Sequence, residues 1–313
     1  MEKKKKQKEV HIKQKFSWQL MWKQRYLLLM SVPFVIWLII FKYIPLWGWT
    51  MAFQEVKPAT FSKPFFERKF VAFENFIKAF NDRIFAQTMI NTIGISLLGL
   101  VIGTVTAILF ALMMNEICFN RFKKVTQTIS YLPHFVSWVV IASIAKTICN
   151  DGGMLDTITG HSLKLMSTNS AKFWVVVCVI EVWKEMGWNA IVYLSAMAGI
   201  DQGLYEAAKV DGANRLQRIW HITLPGIKPT IIVLLIMNIG SALNVGMERQ
   251  MLLSNAIVQD HAMVLSWFAY LRGIGTNNYG VGTAIGMFQS VVGITLLLLA
   301  NKVAGWLGES KLV

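Results

Sequence analysis

Three ionisable side chains stand close together in an otherwise apolar stretch. In "VIEVWKEMGW" (Val179–Trp188), Glu181, Lys184 and Glu185 fall at i, i+3 and i+4, the spacing of neighbours on one helix face. A second polar group, Asn238, Ser241 and Asn244, interrupts "PTIIVLLIMNIGSALNVGM" and predicts a polar stripe on another helix. A charged side chain facing lipid at the centre of a bilayer costs about 2.5 kcal/mol or more, so these groups must be turned inward. Two uses are open for them. Lys184 could neutralise a glutamate of its own helix while the amides cross-link neighbouring helices. Alternatively Glu181, Glu185, Ser241 and Asn244 could line a translocation path, where a hydroxyl-rich solute meets carboxylates, amides and the rings of Trp183 and Trp188.

Catalysis is a poor use for the same residues. The chain has no G-x-x-x-x-G-K-[ST] phosphate loop, no H-E-x-x-H and no G-x-S-x-G elbow. His11, His134, His161, His221 and His261 are scattered, without metal-ligand spacing. His134, in "YLPHFVSW", reads as a hydrogen-bonded residue at the start of a span. Cys118, Cys149 and Cys178 have no CxxC pattern and read as small packing residues, with no disulfide or metal signal.

The elements that must position these groups are membrane spans. The chain has 313 residues, of which 55% are hydrophobic and only 15% charged, with mean hydropathy +0.48; a soluble domain carries about 25% charged residues. "ISLLGLVIGTVTAILFALMM" alone is long enough to cross a ~30 Å hydrocarbon core. The fold class is all-α and polytopic, with six predicted spans: Tyr26–Trp49, Thr88–Met114, Ser130–Ile148, Lys172–Ala198, Pro229–Met247 and Thr283–Leu307. Lys42 and Pro45 interrupt the outer end of the first. No small-residue cleavage site follows it, so it reads as an uncleaved helix. Gly99, Gly103, Ala107 and Ala111 give span two a small-residue face for close helix packing, and Gly282 and Gly286 repeat the theme in span six.

Lys and Arg in short loops mark the cytoplasmic side. Nine of them lie in residues 1–25, and Arg121, Lys123, Lys124, Lys209, Arg215, Arg218, Lys228, Lys302 and Lys311 add to the same side. The loop at Thr50–Gln87 also carries six and is a partial exception. The balance places both termini inside. The predicted organisation is a basic cytoplasmic tail (1–25), a first span (26–49), an outer loop around Lys63 (50–87), a core of five spans (88–307) holding a cytoplasmic loop (199–228), and a short inner tail (308–313). The net charge of +14 suits anionic headgroups of the lipid bilayer; no aromatic-interleaved basic groove points to nucleic acid.

That inner loop contains "EAAKVDGANRLQRIWHITLP" (206–225). "LYEAAKV" is made of good helix formers, "DG" is a turn, and "ANRLQRIWHITL" is a second helix with Leu216, Ile219, Trp220 and Thr223 on one face. Pro225 should stop that helix and Pro229 open the next span. Physically the pair could rest on headgroups or serve as a knob for a partner.

The pattern E-A-A-x-x-D-G-A followed by I-x-L-P, at Glu206, Ala207, Ala208, Asp211, Gly212, Ala213, Ile222, Leu224 and Pro225, resembles the coupling motif of bacterial binding-protein-dependent ABC importer permeases. "YLLLMSVPFVIWLIIFKYIPLWGWTMAFQ", "YLPHFVSWVV" and "GMFQSVVGITLLLLAN" extend the resemblance over nearly the whole chain, to carbohydrate permeases of the maltose/lipoprotein-associated polysaccharide type. The chain departs from many relatives in having Ile219 and Trp220 where they carry Phe. The resemblance implies the type I ABC importer permease fold, in the bacterial cell membrane. It also implies a second homologous permease subunit, two ATPase subunits that bind ATP and Mg, an extracellular solute-binding lipoprotein and an oligosaccharide substrate. No cofactor is implied for this chain. Glu206 would meet basic ATPase residues and Gly212 would allow the sharp turn. The same architecture carrying a non-sugar solute, and a stand-alone secondary transporter, are the alternatives; no internal repeat favours the latter.

Overall fold

The computed structural model describes residues 22–166, 170–308 and 312. The basic residues expected over 1–21, and Lys311, lie outside the described residues. The chain divides into two compact units, Met1–Thr50 and Met51–Val313.

In the first unit, helix α1 (Arg25–Leu38) runs into a π turn (Ile39–Tyr43) and then a 3-10 stretch beginning at Ile44. The wide turn ends just before Pro45, with the Ile44 N–H donating to the Ile39 carbonyl. Pro45 has no N–H and its ring would crowd a carbonyl of the preceding turn, so the helix widens there instead of stopping.

The second unit is built from α2 (Glu74–Phe80), α3 (Phe85–Glu116), α4 (Asn120–Phe135), α5 (Trp138–Cys149), α6 (Ser170–Ala198), α7 (Gln202–Val210), α8 (Arg215–Gly240), α9 (Met247–Leu253), α10 (Leu265–Tyr270) and α11 (Tyr279–Trp306). Helices α3, α8 and α11, like the first segment, are long and apolar enough to cross a membrane. Helix α6 has 29 residues but carries Glu181, Lys184 and Glu185.

Two predicted spans need correction. The third is not one rod: α4 and α5 meet at a 99° bend. Val136 and Ser137 are extended there, and Ser137 caps the new helix by accepting from the Val140 N–H. The fifth begins and ends earlier than expected, since α8 runs unbroken from Arg215 through Pro225 and Pro229 to Gly240. A π turn at Ile219–Thr223 absorbs Pro225 as its counterpart absorbs Pro45, with the Leu224 N–H reaching the Ile219 carbonyl.

The segment over 248–282, which joins the fifth and sixth predicted spans, contributes Leu253, Val258, 262–265, Trp267 and Phe268 to the larger apolar core. Val264, Leu265 and Phe268 are fully buried and pack with Phe173 and Ile285. Its irregular backbone is satisfied by polar side chains from the spans. Asn91 donates to the Asp260 and Met263 carbonyls at 2.7 and 2.9 Å, Trp174 donates to the His261 carbonyl at 2.9 Å, and the Leu265 N–H donates to Thr92 Oγ1 at 2.8 Å. The small-residue face of α3 divides. Ala107 and Ala111 pack against Ala190, Tyr193, Met197 and Ile227, whereas Gly99 and Gly103 line a cavity, Gly99 beside Glu181 and Gly103 in open space. Gly282 backs onto Gly273, but Gly286 meets nothing. Cys118 is exposed rather than packed, and Cys149 and Cys178 are free thiols.

Candidate functional site

The charged face of α6 is closed by three separate partners. Lys184 is buried and its Nζ donates to the Pro133 and His134 carbonyls at 3.2 and 2.5 Å, in the last turn of α4 where the bend ends the helical ladder. The same Nζ lies 3.5 Å from Glu185 Oε1. Glu185 Oε2 is 2.7 Å from His134 Nδ1, and the His134 ring stacks on Trp188 at 4.3 Å with planes 1° apart. Glu181 is paired with Arg249 of α9. The Arg249 guanidinium and the Lys184 ammonium lie 5.8 and 5.6 Å from the Trp138 ring centre, so one indole serves two cations.

A cavity of about 340 Å³ opens beside this network. Gly99, Gly103 and Thr104 of α3, Glu181, Trp188 and Asn189 of α6, Asn238 of α8, and then Ser241, Asn244 and Arg249 line it. Of the expected path residues, Glu181, Trp188, Ser241 and Asn244 are brought together. Glu185 and Trp183 are not: the first turns to His134, and the second is exposed elsewhere. Nor do Ser241 and Asn244 form a helical stripe with Asn238. Helix α8 ends at Gly240, which lies against Gly293 so closely that a Cβ built on Gly293 would sit 2.6 Å from the Gly240 carbonyl oxygen. Ser241 then donates to the Asn238 carbonyl at 3.1 Å, and Asn244 follows in a turn. His134 is hydrogen-bonded as expected, although it sits at the end of α4 rather than at the start of a span. Sequence reasoning missed Arg249, which lies beyond the fifth predicted span; only a helix packed beside α6 makes it Glu181's partner.

At the loop, α7 closes with a left-handed glycine. Gly212 has φ +78°. Its N–H donates to the Lys209 carbonyl at 3.1 Å, and the Ala213 N–H reaches the Ala208 carbonyl at 2.8 Å. This is the Schellman arrangement, which a residue with a Cβ would enter at a cost of about 1–2 kcal/mol. Asn214 and Gln217 then exchange backbone and side-chain hydrogen bonds at 2.7 and 2.9 Å to start α8. Tyr205 and Thr223 share a 2.9 Å hydroxyl contact that ties α7 to the π turn. Ala208, Asp211, Gly212, Ala213 and Ile222, with Arg218 and His221, line a hollow of about 350 Å³. Leu224 packs into the second core cluster, while Glu206, Ala207 and Pro225 face outward.

The expected apolar face of the second helix splits. Ile219 and Thr223 turn inward, whereas Leu216 and Trp220 are two-thirds exposed, because the extra residue of the π turn breaks the 3.6-residue register. Pro225 does not stop this helix.

Several helices long enough to cross a membrane, a polar cavity between them and a glycine-capped loop are the frame of a transport permease, the class that the family match assigns. Residues 99–307 match the family described as the binding-protein-dependent transport system inner membrane component, and the chain belongs to that family. It is therefore a multi-pass membrane protein. It is 38% identical over 291 residues to the polygalacturonan/rhamnogalacturonan transport system permease protein YteP of Bacillus subtilis (strain 168), covering 91% of this chain and 89% of that one. Protein LplB of the same organism is 37% identical, over 92% of this chain and 91% of its own. Among solved structures, a bacterial ABC transporter involved in the import of the acidic polysaccharide alginate superposes with TM-score 0.81 at 34% identity, covering 92% of this chain and 97% of that chain. A structure of bacterial alginate ABC transporter with its alginate pentasaccharide-bound periplasmic protein gives 0.83 at the same identity, over 94% and 99%.

Proposed function

We propose that this chain is the membrane-spanning subunit of an ATP-driven importer that brings an oligosaccharide, or a sugar derived from a polysaccharide, into a bacterial cell. A second homologous permease completes the path, two ATPase subunits bind ATP and Mg, and an extracellular solute-binding lipoprotein delivers the cargo. The chain itself is a transport subunit without a cofactor or catalytic centre of its own. The family supports the importer architecture, and the names of the relatives above support the sugar.

The observation that carries the reading is mechanical. Helix α8 joins the glycine-capped loop to the cavity without interruption. Its 26 residues span about 39 Å at 1.5 Å per residue. Glu206, exposed beside the turn, supplies a charge for a partner arginine, and the hollow at Ala208, Asp211, Gly212 and Ile222 receives a partner side chain. A push on the loop is delivered at Asn238 and Ser241. Both termini lie in the cytoplasm in this reading and the loop around Lys63 lies outside, as the Lys and Arg distribution indicates.

The test is Glu206→Ala, with uptake, solute-stimulated ATPase activity and ATPase co-purification measured on the same reconstituted complex. Uptake and ATPase stimulation should fall together, while solute capture by the binding protein stays intact. Co-purification with no ATPase, or solute flux through the isolated chain, would disprove the reading. Single cysteines at Lys3 and Lys63, probed with an impermeant thiol reagent in a cysteine-free background, test the orientation. Labelling of the Lys3 site from outside overturns it.

A further inference from the structure

Among the described residues, Glu181 and Arg249 are the only acidic and basic side chains that line the cavity. They cancel each other, and they are not equally accessible. The Arg249 side chain is 8% exposed and the Glu181 side chain 31%. The guanidinium is packed beside the Trp138 ring and its Nε is buried. Glu181 spends Oε1 on Arg249 and keeps Oε2 beside Gly99, where a Cβ built on that glycine would lie 3.4 Å away. A solute entering the cavity therefore meets an acceptor oxygen, with its neutralising cation hidden behind it. The other polar lining groups, among them Asn189, Asn238, Asn244, Ser241 and Thr104, bond to hydroxyls and carry no charge.

We propose that Arg249 is the positioning and charge-setting residue of this cavity, and that the sugar unit seated beside Glu181 is uncharged and donates a hydroxyl to Glu181 Oε2. The proposal rests on the importer reading and deepens it. A sugar carboxylate at this point would face the Glu181 oxygen at short range, and shedding its water would gain no compensating cation. An uncharged hydroxyl gains a charge-assisted hydrogen bond from the same oxygen. The arrangement discriminates by an unfavourable contact as much as by a favourable one.

The experiment uses trigalacturonate and its fully methyl-esterified form, which share skeleton, linkage and ring hydroxyls but differ in charge. Each is titrated calorimetrically into the detergent-solubilised, fully assembled importer without its binding protein. The wild type should bind the ester at least about tenfold more tightly than the acid. Glu181→Gln should reverse the preference, because Arg249 is then unbalanced. Arg249→Lys should keep the wild-type preference, and Arg249→Met should widen it; a purely structural role for Arg249 would weaken both probes alike and leave their ratio unchanged. Glu181→Gln changes the balance of the same pair from its other side, so it carries this comparison if the Met variant fails to assemble. Equal or tighter binding of the acid by wild type, binding of neither form, or an unmoved ratio in Glu181→Gln overturns the proposal. Energised uptake of cargo by the same wild-type preparation separates the two levels. Uptake with a failed ratio disproves the uncharged subsite alone; absence of both an ATPase partner and uptake disproves the importer reading.

Discussion

The stretches "EVWK" at Glu181–Lys184 and "EAAK" at Glu206–Lys209 contain the same pair of charges at the same helical spacing. Their fates are opposite. In α6 the glutamate is taken by Arg249, and the lysine by two carbonyl groups of α4. In α7 both side chains are exposed, and neither forms an ion pair among the described residues. Helix α6 is enclosed by α3, α4 and α8, so its charges must be matched where they stand. Helix α7 ends at a free turn and can offer its charges to another subunit. The difference teaches that the surroundings, rather than the local chemistry, turn a Glu/Lys pair into a structural tie or leave it exposed and unpaired.

The sharpest test of that contrast is to delete the lysine in each place. Lys184→Met should cost about 3 kcal/mol, because it strands two carbonyl oxygens and removes the cation beside Glu185 Oε1. Lys209→Met should stay within about 0.5 kcal/mol of wild type. Thermal midpoints of the detergent-solubilised protein measure both, and equal losses would break the comparison. Next in size is Gly212→Val, which forces a β-branched residue into left-handed backbone. Uptake and solute-stimulated ATPase activity should drop together by about tenfold, from a local strain of about 1–2 kcal/mol. The same variant should leave sugar binding in the cavity unchanged; loss of cavity binding would mean that the loop is not an independent handle. A smaller effect is expected for Ser241→Leu and Asn244→Leu, which should slow uptake severalfold while the assembled complex still elutes intact. Normal uptake with both replaced would make these residues helix-packing groups only.

The smallest effect concerns a region that belongs to neither group. Asp156 accepts hydrogen bonds from the Gly152 and Leu163 N–H groups, each at 2.9 Å. The Leu163 bond first and the Gly152 bond second hold its carboxyl below the usual aspartate range. The folded value lies below the unfolded one, so the stabilisation is fully present above about pH 4 and is lost as pH falls through the folded value. Amide protection factors at Gly152 and Leu163 should be flat from about pH 7 to pH 5 and decline only in stronger acid. A decline already at mildly acidic pH would refute the assignment.

Much of the loop was legible in the sequence because its determinants are local. The Gly212 turn is closed by hydrogen bonds within a few residues, and Asn214 with Gln217 caps the next helix from the adjoining stretch. Pro225 misled for an equally local reason: a lost N–H usually ends a helix, but a π turn just upstream accommodated the ring, as another did before Pro45. The cavity was only half legible. Glu181, Ser241 and Asn244 could be marked as costly in lipid and Trp188 as a ring for a solute, yet the direction of each depended on where α8 stopped and which helix lay opposite.

The sequence by itself determined that the chain is helical and membrane-embedded and that Gly212 makes a left-handed turn. Hydropathy and backbone sterics act over one span or one turn, so neighbouring residues suffice to set them. Only the tertiary structure decided that Arg249 belongs to Glu181, that Glu185 turns to His134 away from the cavity, and that α4 and α5 meet at 99°. It also put Leu253, Val258 and 262–265, which join two predicted spans, in the core. The pairings of Arg249 with Glu181 and of Glu185 with His134 join residues far apart in the chain. Charges excluded from lipid must find a partner, and which partner they find depends on the helix that packing brings alongside.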